Sequence, residues 1–318
     1  MSTESLGACA RFPSAVDARI DAIQAVAERI WSERDDLRSA YASLLNTEFW
    51  IWLAWHGLDE SPELKAAWFA QPPAWLLERC AGAGASARDF LCSGVVDWRR
   101  QLACLAQGGV RLEGSSILEL GCGSGRVLRY FARYASACMF TGADSDREQL
   151  AWCQDELGFA NFSAVPLRAP CALAAGTFDA VLVPEWLQHL EPAAGDAWVE
   201  ECARLLRPGG VLVACFLGSR AVQRWVSGQA PASAPTADEL RGALGRLRAE
   251  GALFFGAPRP ESAHPENQVW AATIDPALQG TTFLTRERIA GAWTRRFQLL
   301  EHLEAPDDWQ DYVLLRRR

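Results

Sequence analysis

Ile117-Leu118-Glu119-Leu120-Gly121-Cys122-Gly123-Ser124-Gly125-Arg126 is the stretch that decides the fold. A short apolar run enters three alternating glycines and leaves toward a helix-like segment, Gly125 to Tyr134. Glycine lets the backbone turn tightly and come close to a ligand without a Cβ in the way. A helix start offers unpaired N–H groups to a carboxylate or phosphate. Glu119, two residues before the first glycine, can reach a cationic amine. The pattern is not the dinucleotide fingerprint G-x-G-x-x-G, because Arg126 stands where its last small residue would be. That spacing disfavours a nicotinamide dehydrogenase.

Working outward, Ala137 to Ala143, Phe178 to Val183 and Gly210 to Leu217 repeat the short apolar run seen at Ser116 to Leu120. Arg147 to Leu157 and Ala193 to Leu206 read as helices between them. Strands alternating with helices at this spacing predict βαβ units and a parallel sheet, with ligands at the carboxyl ends of the strands. Asp144 closes the second strand, where a carboxylate can accept both hydrogen bonds of a ribose diol. Its structural alternative is an Asx turn or helix cap.

On these residues the chain resembles the class I S-adenosylmethionine-dependent methyltransferases. The likeness continues through Thr141-Gly142-Ala143-Asp144-Ser145-Asp146, through FDAVLVPEWLQHL after the fourth strand, and through Arg207-Pro208-Gly209-Gly210 before the fifth. It covers about residues 111 to 220. The resemblance implies an α/β fold: a Rossmann-like seven-stranded sheet, mostly parallel with a C-terminal antiparallel hairpin, under an N-terminal helical cap. It implies S-adenosyl-L-methionine as cofactor and S-adenosyl-L-homocysteine as product. Carried over by position, Glu119 holds the methionine amino group, and Gly121, Cys122 and Gly123 line the cofactor. Arg126 neutralises the methionine carboxylate or forms a surface ion pair. Asp144 binds the ribose, with Ser145 beside the adenine. Pro184 and Glu185 follow strand four, where methyl group and acceptor meet. His189, four residues on, is the candidate general base with Glu185 beside it, since imidazole titrates in the useful range. His264 is a second base candidate. One departure matters: Ala164-Val165-Pro166-Leu167-Arg168-Ala169 carries no acid where many members bind the adenine amine. A narrower similarity, in GCGSGRVLRYF, LAWCQDEL, LQHL and the closing WQDYVLL, is to bacterial methyltransferases of glycan and surface-polysaccharide assembly.

The division expected is 1–110 as a helical cap, 111–220 as the cofactor-binding core, 221–280 as an acceptor-side insertion, and 281–318 as a helix and hairpin completing the sheet. Within the cap, helices are predicted over 16–31, 34–56 and 87–107, with Gly82 to Ser86 as a joint. In the insertion, Ala252 to Gly256 and Gln268 to Ile274 read as strands. Thr285 is a plausible N-cap for a helix ending at Trp293, and 296–303 with 309–315 read as the last hairpin. Tryptophan is abundant, 14 residues. Filling the cap–core interface is the reading preferred over stacking on sugar rings.

Composition narrows the partners. A net charge of −8 with no dense basic run excludes the usual nucleic-acid footprint. No run is long enough to span a membrane, and the first residues lack a signal-peptide core. The ten cysteines form no C-x-x-C pair and no zinc spacing, so no metal and no disulfide are expected. The expectation is a cytoplasmic enzyme acting on a small-molecule or glycan acceptor, with no nucleic acid or membrane as partner and a homodimer left open. The function expected is O-methylation of a sugar or small hydroxylated metabolite. The alternatives are natural-product methylation at nitrogen, carbon or sulfur, and a scaffold that keeps the fold without turnover.

Overall fold

The computed structural model describes residues 14–33, 61–82, 84–231, 234–236, 238–257, 262, 264–306 and 310–318. The aromatic-rich helix expected over 34–56 lies outside them. The first segments are helical: α1 (Ser14–Glu33), α2 (Pro62–Ala67), α3 (Ala74–Ala81) and α4 (Ala87–Gln107). Ser86 starts α4 with a reciprocal cap. Its hydroxyl accepts from the Asp89 N–H at 3.1 Å, and the Asp89 carboxylate accepts from the Ser86 N–H at 3.2 Å, satisfying two donors that a bare helix end leaves open.

The alternation predicted from Ser116 onward is present. It runs β1 (Ser116–Leu120), β2 (Met139–Asp144), α5 (Arg147–Glu156), β3 (Asn161–Ala164), β4 (Phe178–Val183), α6 (Pro192–Leu205) and β5 (Leu206–Phe216). Next come α7 (Ser219–Val226), α8 (Ala243–Glu250), β6 (Ala252–Gly256), α9 (Pro265–Ala271), β7 (Gly280–Leu284) and α10 (Arg286–Ala292). The chain closes with β8 (Phe297–Leu303) and β9 (Asp311–Arg317). Thr285 caps α10 by accepting from the Arg288 N–H at 3.2 Å.

One seven-stranded sheet has the order β3-β2-β1-β4-β5-β9-β8. Pairing is parallel from β3 to β5, and β9 lies antiparallel to both β5 and β8. The sheet is the Rossmann-like arrangement expected. Its central strands are buried on both faces. In β4, Ala180 and Leu182 join the apolar layer containing α4, while Val181 and Val183 join the layer containing α6. That double burial is why these strands read as continuous apolar runs rather than alternating ones.

Two expectations are corrected. Gln268 to Ile274 is not a strand: α9 occupies Pro265–Ala271. Pro265 at the first turn has the φ a helix start needs. Asn267 and Ala271, four apart, are the buried face while Val269 is exposed, a helical spacing. The segment after the glycines is also not an α-helix, since Leu128–Tyr134 is a 3₁₀ turn. Five consecutive residues there, Leu128 to Ala132, are buried, so no single apolar stripe selects the 3.6-residue period. Strands β6 and β7 form a separate two-stranded sheet, tied to the end of β5 by an isolated bridge between Phe283 and Leu217.

Candidate active site

The glycine turn sits at the carboxyl ends of β1 and β2. Gly121 N–H donates to the Ala143 carbonyl at 2.7 Å, which pins the turn to the neighbouring strand. Beneath it, buried Arg129 donates to the carbonyls of Gly125, Ser124 and Ala70 at 3.0, 3.1 and 3.2 Å. The first two engage the loop's carbonyls, and the third ties it to the segment before α3. Helix α4 crosses close over the turn at Gly94, where an added Cβ would overlap the Arg126 carbonyl. Gly121 has φ +77°, and a Cβ there would lie 2.6 Å from Cγ of Trp186. The glycines are therefore required both by the backbone and by what packs against it.

Asp144 and the turn converge. One oxygen of Asp144 accepts from the Gly123 N–H at 2.8 Å and the other from the Asp146 N–H at 2.9 Å. Burial pushes its carboxyl above the usual range against those bonds. A carboxylate has further lone pairs, so ribose hydroxyls can still be accepted.

A cleft of about 620 Å³, counted out to its open mouth, runs between these elements. It is within the size range of small-molecule sites. Of the residues singled out from sequence, Glu119, Gly121, Cys122, Gly123, Arg126, Asp144, Pro184, Glu185 and His189 line it. Ser145, partly buried, is not among the lining residues. His264 is brought to Glu78, 3.8 Å away, at the junction of α3 with the insertion. His302 is buried against Asp311 at 2.8 Å. Among the described residues no group of three or more His, Cys, Asp and Glu is arranged for a metal, and no helix is long and apolar enough to cross a membrane.

The cleft floor carries a dense set of charges. Arg126 is not on the surface, where one reading of the sequence put it. Its Nη2 pairs with Asp97 at 2.7 Å and Glu185 at 3.0 Å. Burial opposes the guanidinium charge, but Glu185 and Asp97 outweigh it and hold its pKa above the ordinary value. Nearby Glu119 is 1% exposed. Burial pushes its carboxyl up to about 8, with Arg126 pulling the other way. Glu119 Oε2 and Arg126 Nη1 have no hydrogen-bond partner among the described residues. A buried acceptor and a buried donor left open cost about 1–3 kcal/mol each. Their position on one cleft is a reason to look for the ligand that completes them.

Sequence reasoning did not find the far wall. Helix α3 places Arg79 and Cys80 in the cleft lining. The Cys80 thiol donates to Gln149 Oε1 at 2.7 Å, and burial raises its pKa to about 11. The Arg79 side chain is fully buried, paired with Asp146 at 3.0 Å and Glu148 at 2.7 Å, and bonded to Asn267 at 2.7 Å. Its guanidinium lies 4.8 Å from the ring of Trp75 and 5.2 Å from that of Trp270. These pairs are many residues apart, so no local spacing announces them. Trp68, Trp98 and Trp198 are core residues, and the tryptophans around Arg79 join α3 to the insertion.

Fold and cleft define a Rossmann-like ligand-binding domain built around a glycine turn and two carboxylates. Residues 117–210 match a family profile described as "Methyltransferase domain". That segment, somewhat less than a third of the chain, is similar to a methyltransferase domain. The chain is 35% identical over 111 residues to a ubiquinone biosynthesis O-methyltransferase of Psychrobacter cryohalolentis, covering 32% of this chain and 40% of that protein. It is 36% identical over 104 residues to a fatty-acid O-methyltransferase of Mycolicibacterium smegmatis, covering 31% of this chain and 36% of that one. The chain thus spans well under half the length of these curated relatives. Among solved structures, an S-adenosylmethionine-dependent methyltransferase from Mesorhizobium loti superposes with a TM-score of 0.47 at 17% identity, over 71% of this chain and 99% of that one.

Proposed function

We propose that the whole chain is an S-adenosylmethionine-dependent methyltransferase acting on a neutral small hydroxylated acceptor, a sugar or glycan being the first class to try. The observation that carries this reading is the pair of buried, unpartnered atoms, Glu119 Oε2 and Arg126 Nη1, on a cleft that also holds Asp144 against the glycine turn. The methionine end of the cofactor has a cationic amine and an anionic carboxylate, which are the partners those two atoms lack. Asp97 and Glu185 already pair with Arg126, and burial keeps Glu119 largely protonated until a cation arrives beside it, which suits a ligand that brings a cationic amine.

When bound, S-adenosylmethionine supplies an electrophilic methyl group on its sulfonium. The chain's residues do the remainder. Glu119 accepts from the amine, Arg126 Nη1 donates to the carboxylate, and Asp144 accepts from the ribose. Adenine recognition rests on backbone groups and packing, because no acid follows β3. Pro184 and Glu185 set the acceptor edge, and an imidazole nitrogen of His189 takes the proton from an acceptor hydroxyl. A specific observation keeps a second reading in play. His189 is exposed and has no hydrogen bond among the described residues to orient it. Acceptors that need no base, at nitrogen, carbon or sulfur, would fit that arrangement. The narrower likeness to methyltransferases of glycan assembly supports the sugar class, and the cytoplasm is the compartment we propose. A homodimer is a further part of the proposal, to be read from solution mass.

The test is a methyl-transfer screen against nucleotide sugars, glycans, phenols and amines, read by mass spectrometry on wild type and His189→Ala. A hydroxyl product that His189→Ala loses supports the reading. A product only on amines or thiols, with equal rates in both proteins, contradicts it. Separately, Asp144→Ala should weaken S-adenosylhomocysteine binding by about tenfold or more in calorimetry, since hydrogen bonds to a charged acceptor are lost. Unchanged affinity would remove Asp144 from the site.

A further inference from the structure

The closing segment Gln310-Asp311-Tyr312 carries a resemblance and part of the final hairpin, and the site described so far does not use its side chains. Side chains of a strand alternate in direction, and these three do. Gln310 and Tyr312 reach the charge cluster, while Asp311 turns the other way to His302 and to the Ala305 N–H. Tyr312 Oη donates to Asp97 Oδ1 at 2.8 Å. Gln310 Nε2 donates to Glu185 Oε1 at 2.9 Å. The other oxygen of each carboxylate, Asp97 Oδ2 and Glu185 Oε2, goes to the same atom, Nη2 of Arg126.

This division has a consequence for Arg126. A carboxylate with both oxygens free tends to take a guanidinium in a two-toothed grip, using two nitrogens. Here each carboxylate has one oxygen committed to the start of β9, so each engages Arg126 through a single contact. Nη1 is thereby left unpaired and buried beside the cleft.

We propose that Gln310 and Tyr312 are positioning residues that hold Asp97 and Glu185 in one-toothed contact with Arg126, and so keep Nη1 available for the amino-acid carboxylate of the cofactor. The inference rests on the cofactor reading above. Without the Tyr312 hydroxyl, Asp97 rotates to chelate Arg126, and the donor meant for the ligand is consumed inside the protein. The loss is specific to ligands that carry that carboxylate.

The experiment compares two probes by calorimetry. S-adenosylhomocysteine carries the amino-acid portion, and 5′-methylthioadenosine has the adenosyl thioether without it. Tyr312→Phe should weaken S-adenosylhomocysteine by about five- to tenfold, the size of one ordinary net hydrogen bond, since the charged contact is weakened rather than removed, and 5′-methylthioadenosine by less than about twofold. Gln310→Leu, acting on the other carboxylate, should repeat the pattern and serves if Tyr312→Phe melts early. Equal losses for both probes, or no loss for either, would overturn the positioning role while leaving the cofactor reading intact. Wild-type protein that binds neither probe would overturn the cofactor reading and this inference with it.

Discussion

Arg126→Leu should be among the most damaging single substitutions in the described structure. Removing one partner of a buried ion pair leaves charge uncompensated and costs about 3–5 kcal/mol. Here one guanidinium serves Asp97 and Glu185 directly and lowers the pKa of Glu119 through space. The effect should depend on pH in a defined direction. Without Arg126 the burial of Glu119 is less opposed and its carboxyl rises further above the unfolded value, so the folded variant keeps that proton to higher pH than the wild type does. Wild type and variant both gain stability as pH falls through the Glu119 window, which in the wild type runs from about 8 toward about 4.5; the variant's window reaches to higher pH, so its extra penalty grows as pH rises past about 8. Urea midpoints of both proteins from about pH 7 to about pH 9 check this: the gap should widen toward the alkaline end. A gap independent of pH would mean that lost packing, rather than uncompensated buried charge, explains the damage. Binding of S-adenosylhomocysteine should fall by about 10- to 150-fold near neutral pH, the range for a charged hydrogen bond.

Gly121→Ala should abolish cofactor binding with the smallest change of volume a side chain allows. The position has φ +77°, which costs a non-glycine residue about 1–3 kcal/mol. The new methyl would also collide with the Trp186 side chain, and overpacking adds a further roughly 1–3 kcal/mol. Trp186 follows Glu185 and stacks edge-on against Trp198 at 4.6 Å between ring centres. Displacing it disturbs the wall that carries Glu185 and His189. A melting temperature lowered by several degrees with no calorimetric binding is the expected pair of results. Retained binding would show that the turn can relax without closing the cleft.

What the sequence made legible follows from what is local. β1, β2, β4 and β5 are short apolar runs because both faces of the central sheet are covered, and the final hairpin was legible as two neighbouring strand-like runs, 296–303 and 309–315. The glycine turn and Asp144 were readable as one site because each closes one of two neighbouring parallel strands, β1 and β2. β3 was not delimited, since Asn161–Ala164 is half-exposed and polar at its start. The helix at Pro265–Ala271 was missed because Gln-Val-Trp-Ala-Ala-Thr-Ile is rich in strand formers. Pro265 and the Asn267–Ala271 spacing were the signals that could have found it. Asp97, Arg79, Cys80, Gln310 and Tyr312 were beyond reach. Tyr312 meets Asp97 across 215 residues, and no periodicity encodes a contact of that separation. The chemistry of the charge cluster therefore emerges only when α4, the glycine turn, the end of β4 and the start of β9 are brought together.

Titration calorimetry of the wild-type chain with S-adenosylhomocysteine, run near pH 7 in two buffers of different ionisation heat, tests the central claim. Glu119, held up to about 8 by burial in the free protein, is mostly protonated there. A cationic amine arriving beside it favours the ionised form. The account predicts one ligand per chain, with a proton released to the buffer and affinity that rises with pH up to about 8. A flat titration in both buffers, with no heat at millimolar ligand, would contradict it.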